Sequence, residues 1–189
     1  MRTLITATVA VALLLGSLAG CSPGTSSYVR TDVDFSFIGT VAVYPFRNLT
    51  QDVHAAPRVQ SIFLSELLQQ DAVRVLEAGQ VLDAMVQLRL GPDSEPTPAQ
   101  MQELGKLTGA DAIFFGTVEE YGLDRTGGDA AYAVTARFTL VETQTGALVW
   151  NAQSRADGGS LWRSLFGGSS ASLYDVARRV VRDAQETLF

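Results

Sequence analysis

The sequence predicts a single α+β domain, a mixed α/β arrangement in which helices flank a mixed β-sheet in three layers. The last helix is the clearest, because apolar residues repeat at helical spacing from Leu173 to Leu188. Apolar and polar residues alternate from Tyr132 to Leu140, which is typical of a strand buried on one face. Residues Ala112–Val118 are almost all apolar, which indicates a strand buried on both faces. The predicted order of elements is β-α-β-α-α-β-β-β-α.

Turn and capping residues set the boundaries of these elements. Pro45 closes the first strand, and Thr97 with Pro98 suits the N-cap and first position of the third helix. Ser172 and Asp175 form a capping pair for the amphipathic C-terminal helix. The predicted strands lie at 39–46, 73–76, 112–118, 132–140 and 147–154, and the last two form a β-hairpin. The predicted helices lie at about 55–70, 80–88, 98–109 and 173–188.

Composition and charge exclude several classes of function. The chain has 189 residues, of which 47% are hydrophobic, and a formal net charge of −6, which suits one domain with its own core. Such an acidic chain is not expected to bind nucleic acid, because neutralising phosphates requires a clustered basic face. One Cys and one His exclude a disulfide framework and a Cys/His zinc site. We expect no metal and no cofactor.

The amino terminus has the pattern of a signal peptide. Arg2 is followed by an apolar run that ends in Leu18-Ala19-Gly20-Cys21. This ending resembles the lipobox of bacterial lipoproteins, a resemblance that implies removal of residues 1–20 and acylation of Cys21. Several acyl chains on one residue give stable membrane anchoring. The position after the cysteine holds Ser22 and not Asp, which for a Gram-negative source implies the periplasmic face of the outer membrane. We therefore predict a lipidated Cys and flexible tether over residues 21–37 and a periplasmic domain over 38–189.

Three further motifs, in this order, resemble one family of periplasmic lipoprotein domains. They are Val41-Ala42-Val43-Tyr44-Pro45-Phe46-Arg47-Asn48-Leu49-Thr50, Gly109-Ala110-Asp111-Ala112-Ile113-Phe114-Phe115-Gly116-Thr117-Val118 and Val141-Glu142-Thr143-Gln144-Thr145-Gly146-Ala147-Leu148-Val149-Trp150. The family includes the curli-secretion lipoprotein, the lipoprotein activator of a penicillin-binding protein, the Pel-polysaccharide lipoprotein and the amino-terminal domain of TolB. The motifs themselves are strands and turns, so they predict a fold and no chemistry.

The residues that catalysis would require do not occur in a suitable pattern. The only Lys stands in Gly105-Lys106-Leu107, which is not a phosphate-binding loop, and Gly167–Ala171 lacks the last Gly of a nucleophile elbow. His54 lies in a polar link and has no evident partner residues. Glu119, Glu120, Asp124 and Asp129 cluster at one turn without the spacing of a Ca²⁺ loop, so a solvated acidic face is the favoured interpretation. We expect a protein that is not an enzyme.

The segment from Gly158 to Ser170 is predicted to carry a contact surface. Its apolar residues and one arginine stand between two glycine pairs, at a spacing that suits one short amphipathic turn. Exposed, they would contact the membrane or a partner; folded back, they would form a lid on the core. The candidate contact residues are Leu161, Trp162, Arg163, Leu165 and Phe166.

Two functions from different classes follow from the resemblance. The first is a non-catalytic outer-membrane lipoprotein that forms a homo-oligomer and supports the export or assembly of an envelope polymer. The second is a monomeric activator of a peptidoglycan synthase. Such activators use a long, Pro-rich tether, whereas here only residues 22 to about 34 are available, or about 45 Å when extended. The first function is therefore favoured from the sequence.

Overall fold

The computed structural model describes residues 24–30, 35–125, 130–159 and 171–188, which contain four α-helices and one mixed sheet of seven strands. The strands are β1 Ser26–Val29, β2 Thr40–Val43, β3 Arg47–Asn48, β4 Arg74–Val75, β5 Ala112–Asp124, β6 Ala131–Glu142 and β7 Leu148–Asp157. The helices are α1 Ala55–Gln70, α2 Ala78–Gln87, α3 Pro98–Thr108 and α4 Leu173–Gln185. The predicted fold class and order are confirmed, with two short strands, β1 and β3, in addition.

The sheet is parallel on one side and antiparallel on the other. Its order is β1-β7-β6-β5-β2-β4, and β3 also pairs with β5. The pairs β4–β2, β2–β5 and β3–β5 are parallel. The pairs β5–β6, β6–β7 and β7–β1 are antiparallel, so β5 is the strand where the two halves of the sheet meet.

Helices α1 and α4 cover one face of the sheet, the inner face, and bury an aromatic cluster against it. The ring centroids of Phe63 and Phe138 lie 5.1 Å apart, and Phe114 lies 5.2 Å from Phe63 and 6.0 Å from Trp150. The indole N–H of Trp150 donates to the hydroxyl of Thr187 just beyond α4 at 2.9 Å. The helical spacing of apolar residues in α1 and α4 therefore sets which side of each helix faces the sheet.

Helices α2 and α3 cover part of the opposite face, which we call the outer face. Ala42, Tyr44 and Ile113 are buried there with Leu104 of α3, and Phe115 packs against this cluster. This second layer explains why the predicted strand at 112–118 lacks alternation, since both of its faces are covered.

Reciprocal capping boxes begin two of the helices, at the positions that the sequence predicts. Thr97 Oγ1 accepts from the backbone N–H of Gln100, whose side-chain oxygen accepts from the N–H of Thr97 at 2.9 Å. Ser172 and Asp175 repeat this arrangement at α4. Each box satisfies backbone donors that the first turn of a helix leaves free.

Two residues of the second family motif serve packing. A Cβ at Gly116 would lie 2.6 Å from the ring of Phe46, so only glycine admits this ring against β5. The carboxylate of Asp111 accepts from the backbone N–H groups of Gly39 and Thr40 at 3.0 and 2.8 Å, which ties the entry of β5 to β2.

The segment expected to be a flexible tether is in part ordered. Ser26–Val29 pair with Trp150–Gln153 as the edge strand β1, and Thr25 Oγ1 lies 3.0 Å from Ser154 Oγ. The polar composition of this segment shows no strand pattern, because backbone pairing with β7 and not apolar burial makes it a strand. The predicted signal peptide, Cys21 and residues 161–166 lie outside the described residues. None of the described helices combines the length and apolar character that crossing a membrane requires.

Candidate partner-binding face

The half of the outer face that α2 and α3 leave open carries a polar row across five strands. Register places Arg47 beside Thr117, Thr117 opposite Arg137, Arg137 opposite Gln153, and Gln153 opposite Ser26. Side chains of the next antiparallel row, Glu120, Thr135 and Arg155, lie on the same face because strand residues alternate in direction. We call these two rows, with Glu119 and Asp124, the polar face.

A β-bulge directs two successive glutamates onto the polar face. The register of β5 against β6 shifts between Val118 and Glu120. Glu119 then reaches Arg137 at 3.1 Å and Gln153 at 2.7 Å, while Glu120 accepts from Thr135 at 2.9 Å. Without the bulge, one of the two carboxylates would point at the apolar core.

Ion pairs cross the polar face and hold its side chains in place. Arg155 contacts the carboxylate of Glu120 and that of Asp124, the latter at 2.9 Å. The side chains of Arg137 and Arg155 nevertheless remain 49% and 46% exposed. Charges of both signs are thus fixed in position and open to a partner, an arrangement that favours recognition by complementary charge.

A groove of about 310 Å³ borders the polar face beneath the Pro-rich loop at 91–96. The phenol of Tyr44 donates to the carbonyl oxygen of Gly91 at 2.8 Å and lies 3.2 Å from Ser94 Oγ, which fixes the loop over the sheet. Burial raises the pKa of this phenol. Arg47 pairs with Glu95 at 2.7 Å across the mouth of the groove.

The loop after β3 presents two apolar side chains on a rigid frame. Asn48 Nδ2 donates to the carbonyl oxygen of Asp52 at 2.8 Å, and Asn48 Oδ1 accepts from the backbone and hydroxyl of Thr50 at 3.0 and 2.9 Å. Leu49 and Val53 are 56% and 74% exposed on this frame. Because these hydrogen bonds already fix the backbone of the loop, its exposed apolar side chains would lose little conformational freedom on contact with a partner.

The described residues offer no arrangement typical of catalysis or metal binding. Within them, no three His, Cys, Asp or Glu residues come together as metal ligands. Glu119, Glu120 and Asp124 are paired with arginines on the polar face, and Asp129 lies outside the described part. His54 is exposed at the start of α1, where its backbone N–H donates to Asp52.

The predicted contact residues 161–166 lie outside the described ranges, whereas Gly158, where their segment begins, and Ala171, which follows it, lie within them. A Cβ at Gly158 would lie 3.3 Å from the carbonyl oxygen of Ala171 and 3.5 Å from that of Tyr132, so Gly158 and Ala171 meet where β6 begins. Sequence reasoning missed the polar face. The available signal was the set of polar positions in the alternating strand, Thr135, Arg137 and Thr139, which we interpreted only as solvent-facing.

The fold is shared with solved structures of proteins that are at most 21% identical in sequence. Dodecameric PelC from Paraburkholderia phytofirmans is 21% identical, with a TM-score of 0.60 over 87% of this chain and 98% of that chain. Lipoprotein GNA1162 from Neisseria meningitidis is also 21% identical, with a TM-score of 0.56 over 79% of this chain and 99% of that chain. The hypothetical protein CT253 from Chlamydia trachomatis is 14% identical, with a TM-score of 0.57 over 79% and 95%. At this identity the comparisons establish the fold alone.

Sequence comparison identifies the family. No curated protein matches the chain. The family model described as peptidoglycan-synthase activator LpoB matches residues 23–155, more than two thirds of the sequence. The match includes β1, the three family motifs and every strand of the polar face. The family is named for regulation of an enzyme and not for catalysis. This chain therefore belongs to the peptidoglycan-synthase activator LpoB family.

Proposed function

We propose that the chain is a lipid-anchored, non-catalytic regulator that activates a periplasmic peptidoglycan synthase by docking through the polar face. It is held by acyl chains on Cys21 at the periplasmic face of the outer membrane. The observation that carries the proposal is the polar face itself, where five strands present polar side chains, four of them with charged groups, that no described helix covers. Family membership supplies the class of partner.

The exposed apolar pair beside the polar face suits the same role. Leu49 and Val53 follow β3, whose Arg47 begins the polar row. An apolar contact beside a charged surface is the arrangement in which a few anchors supply affinity and the charges supply orientation and rate. The two features together make up the candidate docking surface.

Charge reversal on the polar face tests this function. We expect Arg137→Glu to weaken binding of the synthase by at least about tenfold, because it places a second negative charge beside Glu119. Arg182→Glu is the matched control, since Arg182 is 54% exposed on α4 and also lies near a glutamate, but on the inner-face side. Binding of the mature lipoprotein to each periplasmic peptidoglycan synthase of its organism is measured at low and high salt.

The thermal midpoint accompanies the binding measurement. Exposed ion pairs contribute about 0–1 kcal/mol, so the midpoint of the Arg137 variant should change little. Arg155→Glu serves as a second variant if the first fails to fold. Equal binding by wild type, Arg137→Glu and Arg155→Glu would exclude the polar face as the docking surface.

A second function, an oligomer that supports polymer export, is favoured by the short free link before the fold. Strand β1 begins at Ser26, so only the four residues 22–25 separate the sheet from the membrane anchor proposed at Cys21. In this function Leu161, Trp162, Arg163, Leu165 and Phe166 would contact the membrane or a neighbouring copy. Light scattering on the mature chain distinguishes the two functions: a monomer at high concentration excludes the oligomer that would support export, and a stable higher oligomer favours it.

A further inference from the structure

The strand register brings the amino terminus of the described chain to one end of the sheet. Thr25 lies beside Ser154, and β7 continues from there for four residues to Gly158. The four residues from Thr25 back to Cys21 can cover the same distance, about 13 Å in extended conformation. The chain is therefore long enough for an acyl anchor on Cys21 to lie at the level of Gly158. We call this end of the sheet the anchor end.

Three exposed apolar or aromatic side chains lie at the anchor end. Leu123 and Tyr132 are opposite one another where β5 ends and β6 begins, and they are 49% and 38% exposed. Both lie on the inner face, two residues beyond the pair of half-buried Tyr121 and buried Val134. Tyr174 is 57% exposed in the first turn of α4.

The two elements that carry Tyr132 and Tyr174 come together beside Gly158. A Cβ at Gly158 would contact the backbone of Tyr132, the carbonyl oxygen of Ala171 and the side chain of Val176 within 3.5 Å. The start of β6 and the first turn of α4 thus meet at one point. Arg125, which is exposed, follows directly after β5 at this end.

We infer that the anchor end rests on the phospholipid surface, with Leu123, Tyr132 and Tyr174 in the headgroup region. Tyrosine has an apolar ring and a polar hydroxyl, so it is stable where a membrane meets water. The basic side chain of Arg125 suits anionic headgroups. The length of chain before β1 identifies the bilayer as the surface that this end contacts. An anchor four residues from Thr25 is too close to the sheet for the anchor end to face away from the bilayer. The inference rests on the proposed acylation of Cys21.

The sequence provides a selective label for the test. Cys21 is the only cysteine, and acylation would block its thiol, so an introduced cysteine would be the one free thiol in the mature protein. Tyr132→Cys reports on the anchor end. Leu148→Cys is the matched control: Leu148 is 41% exposed at the start of β7, about 30 Å from Gly158 along the strand.

Each variant is purified with its acyl chains, labelled with a fluorophore and incorporated into vesicles of phosphatidylethanolamine and phosphatidylglycerol. We expect iodide quenching of the Tyr132→Cys label to fall at least about twofold on incorporation, and that of the Leu148→Cys label to stay unchanged. Unchanged quenching at both positions, or equal protection at both, overturns the inference while the anchor stands. If the wild-type protein does not bind vesicles and has a free thiol at Cys21, the proposed acylation of Cys21 is wrong, and so is the inference that rests on it.

Discussion

Gly116→Ala tests why the second family motif requires glycine. The new Cβ would lie 2.6 Å from three atoms of the Phe46 ring, whereas carbon atoms in contact prefer about 3.5–4.0 Å. The ring must therefore move by about 1 Å. It has little room to do so, because Phe46 is 7% exposed and its centroid lies 5.4 Å from Phe63 and 5.8 Å from Phe138.

The cost follows from these contacts. Overpacking of a filled core costs about 1–3 kcal/mol, and the lower entropy of an unfolded chain with alanine offsets about 0.4–1 kcal/mol of it. The net cost is centred on about 1–2 kcal/mol. At about 2–4 °C per kcal/mol for a domain of this size, the thermal midpoint should fall by roughly 2–8 °C. Differential scanning calorimetry of the mature chain measures it.

Gly79→Ala is the matched control for this substitution. Gly79 lies in α2, and no atom lies within 4 Å of the position that a Cβ would take there, so alanine should raise stability by about 0.5–1 kcal/mol. In a Phe46→Ala background the cost of Gly116→Ala should largely disappear. An unchanged midpoint for Gly116→Ala, or an equal cost with and without the Phe46 ring, would refute the explanation.

Two further predictions concern α4. Gln185 is fully buried, donates to the carbonyl oxygen of Phe63 at 3.1 Å and accepts from Gln70 at 3.0 Å. Gln185→Leu should lower the free energy of unfolding, measured by chemical denaturation, by about 1–3 kcal/mol. An unaffected denaturation midpoint would contradict a stabilising role for these hydrogen bonds. Hydrogen bonds from the side chain and backbone of Ser172 hold the pKa of the Asp175 carboxyl below its usual range. A lowered folded-state pKa contributes stability above the unfolded-state pKa and loses it as pH falls through the folded-state value. The difference in thermal midpoint between wild type and Asp175→Asn should therefore shrink below about pH 4; a constant difference would argue against the cap.

Local patterns predicted most of the fold. The apolar repeat of α4, the alternation of β6 and the capping residues Thr97 and Ser172 act between residues that are near in sequence, so their structural consequences can be read directly. Strand β5 was predicted to end at Val118, but it continues to Asp124. Its second half is polar on the open face and is held by pairing with β6, which no local pattern reports.

The candidate site was less accessible to prediction. The acidic residues near 119–124 were recognised as a solvated cluster, but their partners were not. Arg137 and Arg155 follow Glu119 and Glu120 by many positions in the chain, and they meet only because β5, β6 and β7 align in one register.

The sequence by itself determined the class of the fold, the boundaries of the main helices and the family resemblance, whereas the lipidation of Cys21 stays a prediction. Only the tertiary structure decided that Ser26–Val29 joins the sheet and that the bulge after Val118 directs two glutamates to one face. The physical reason is the range of the interactions involved. Helix periodicity and capping depend on neighbours within one turn, whereas an edge strand and a charged face exist only once distant strands have paired.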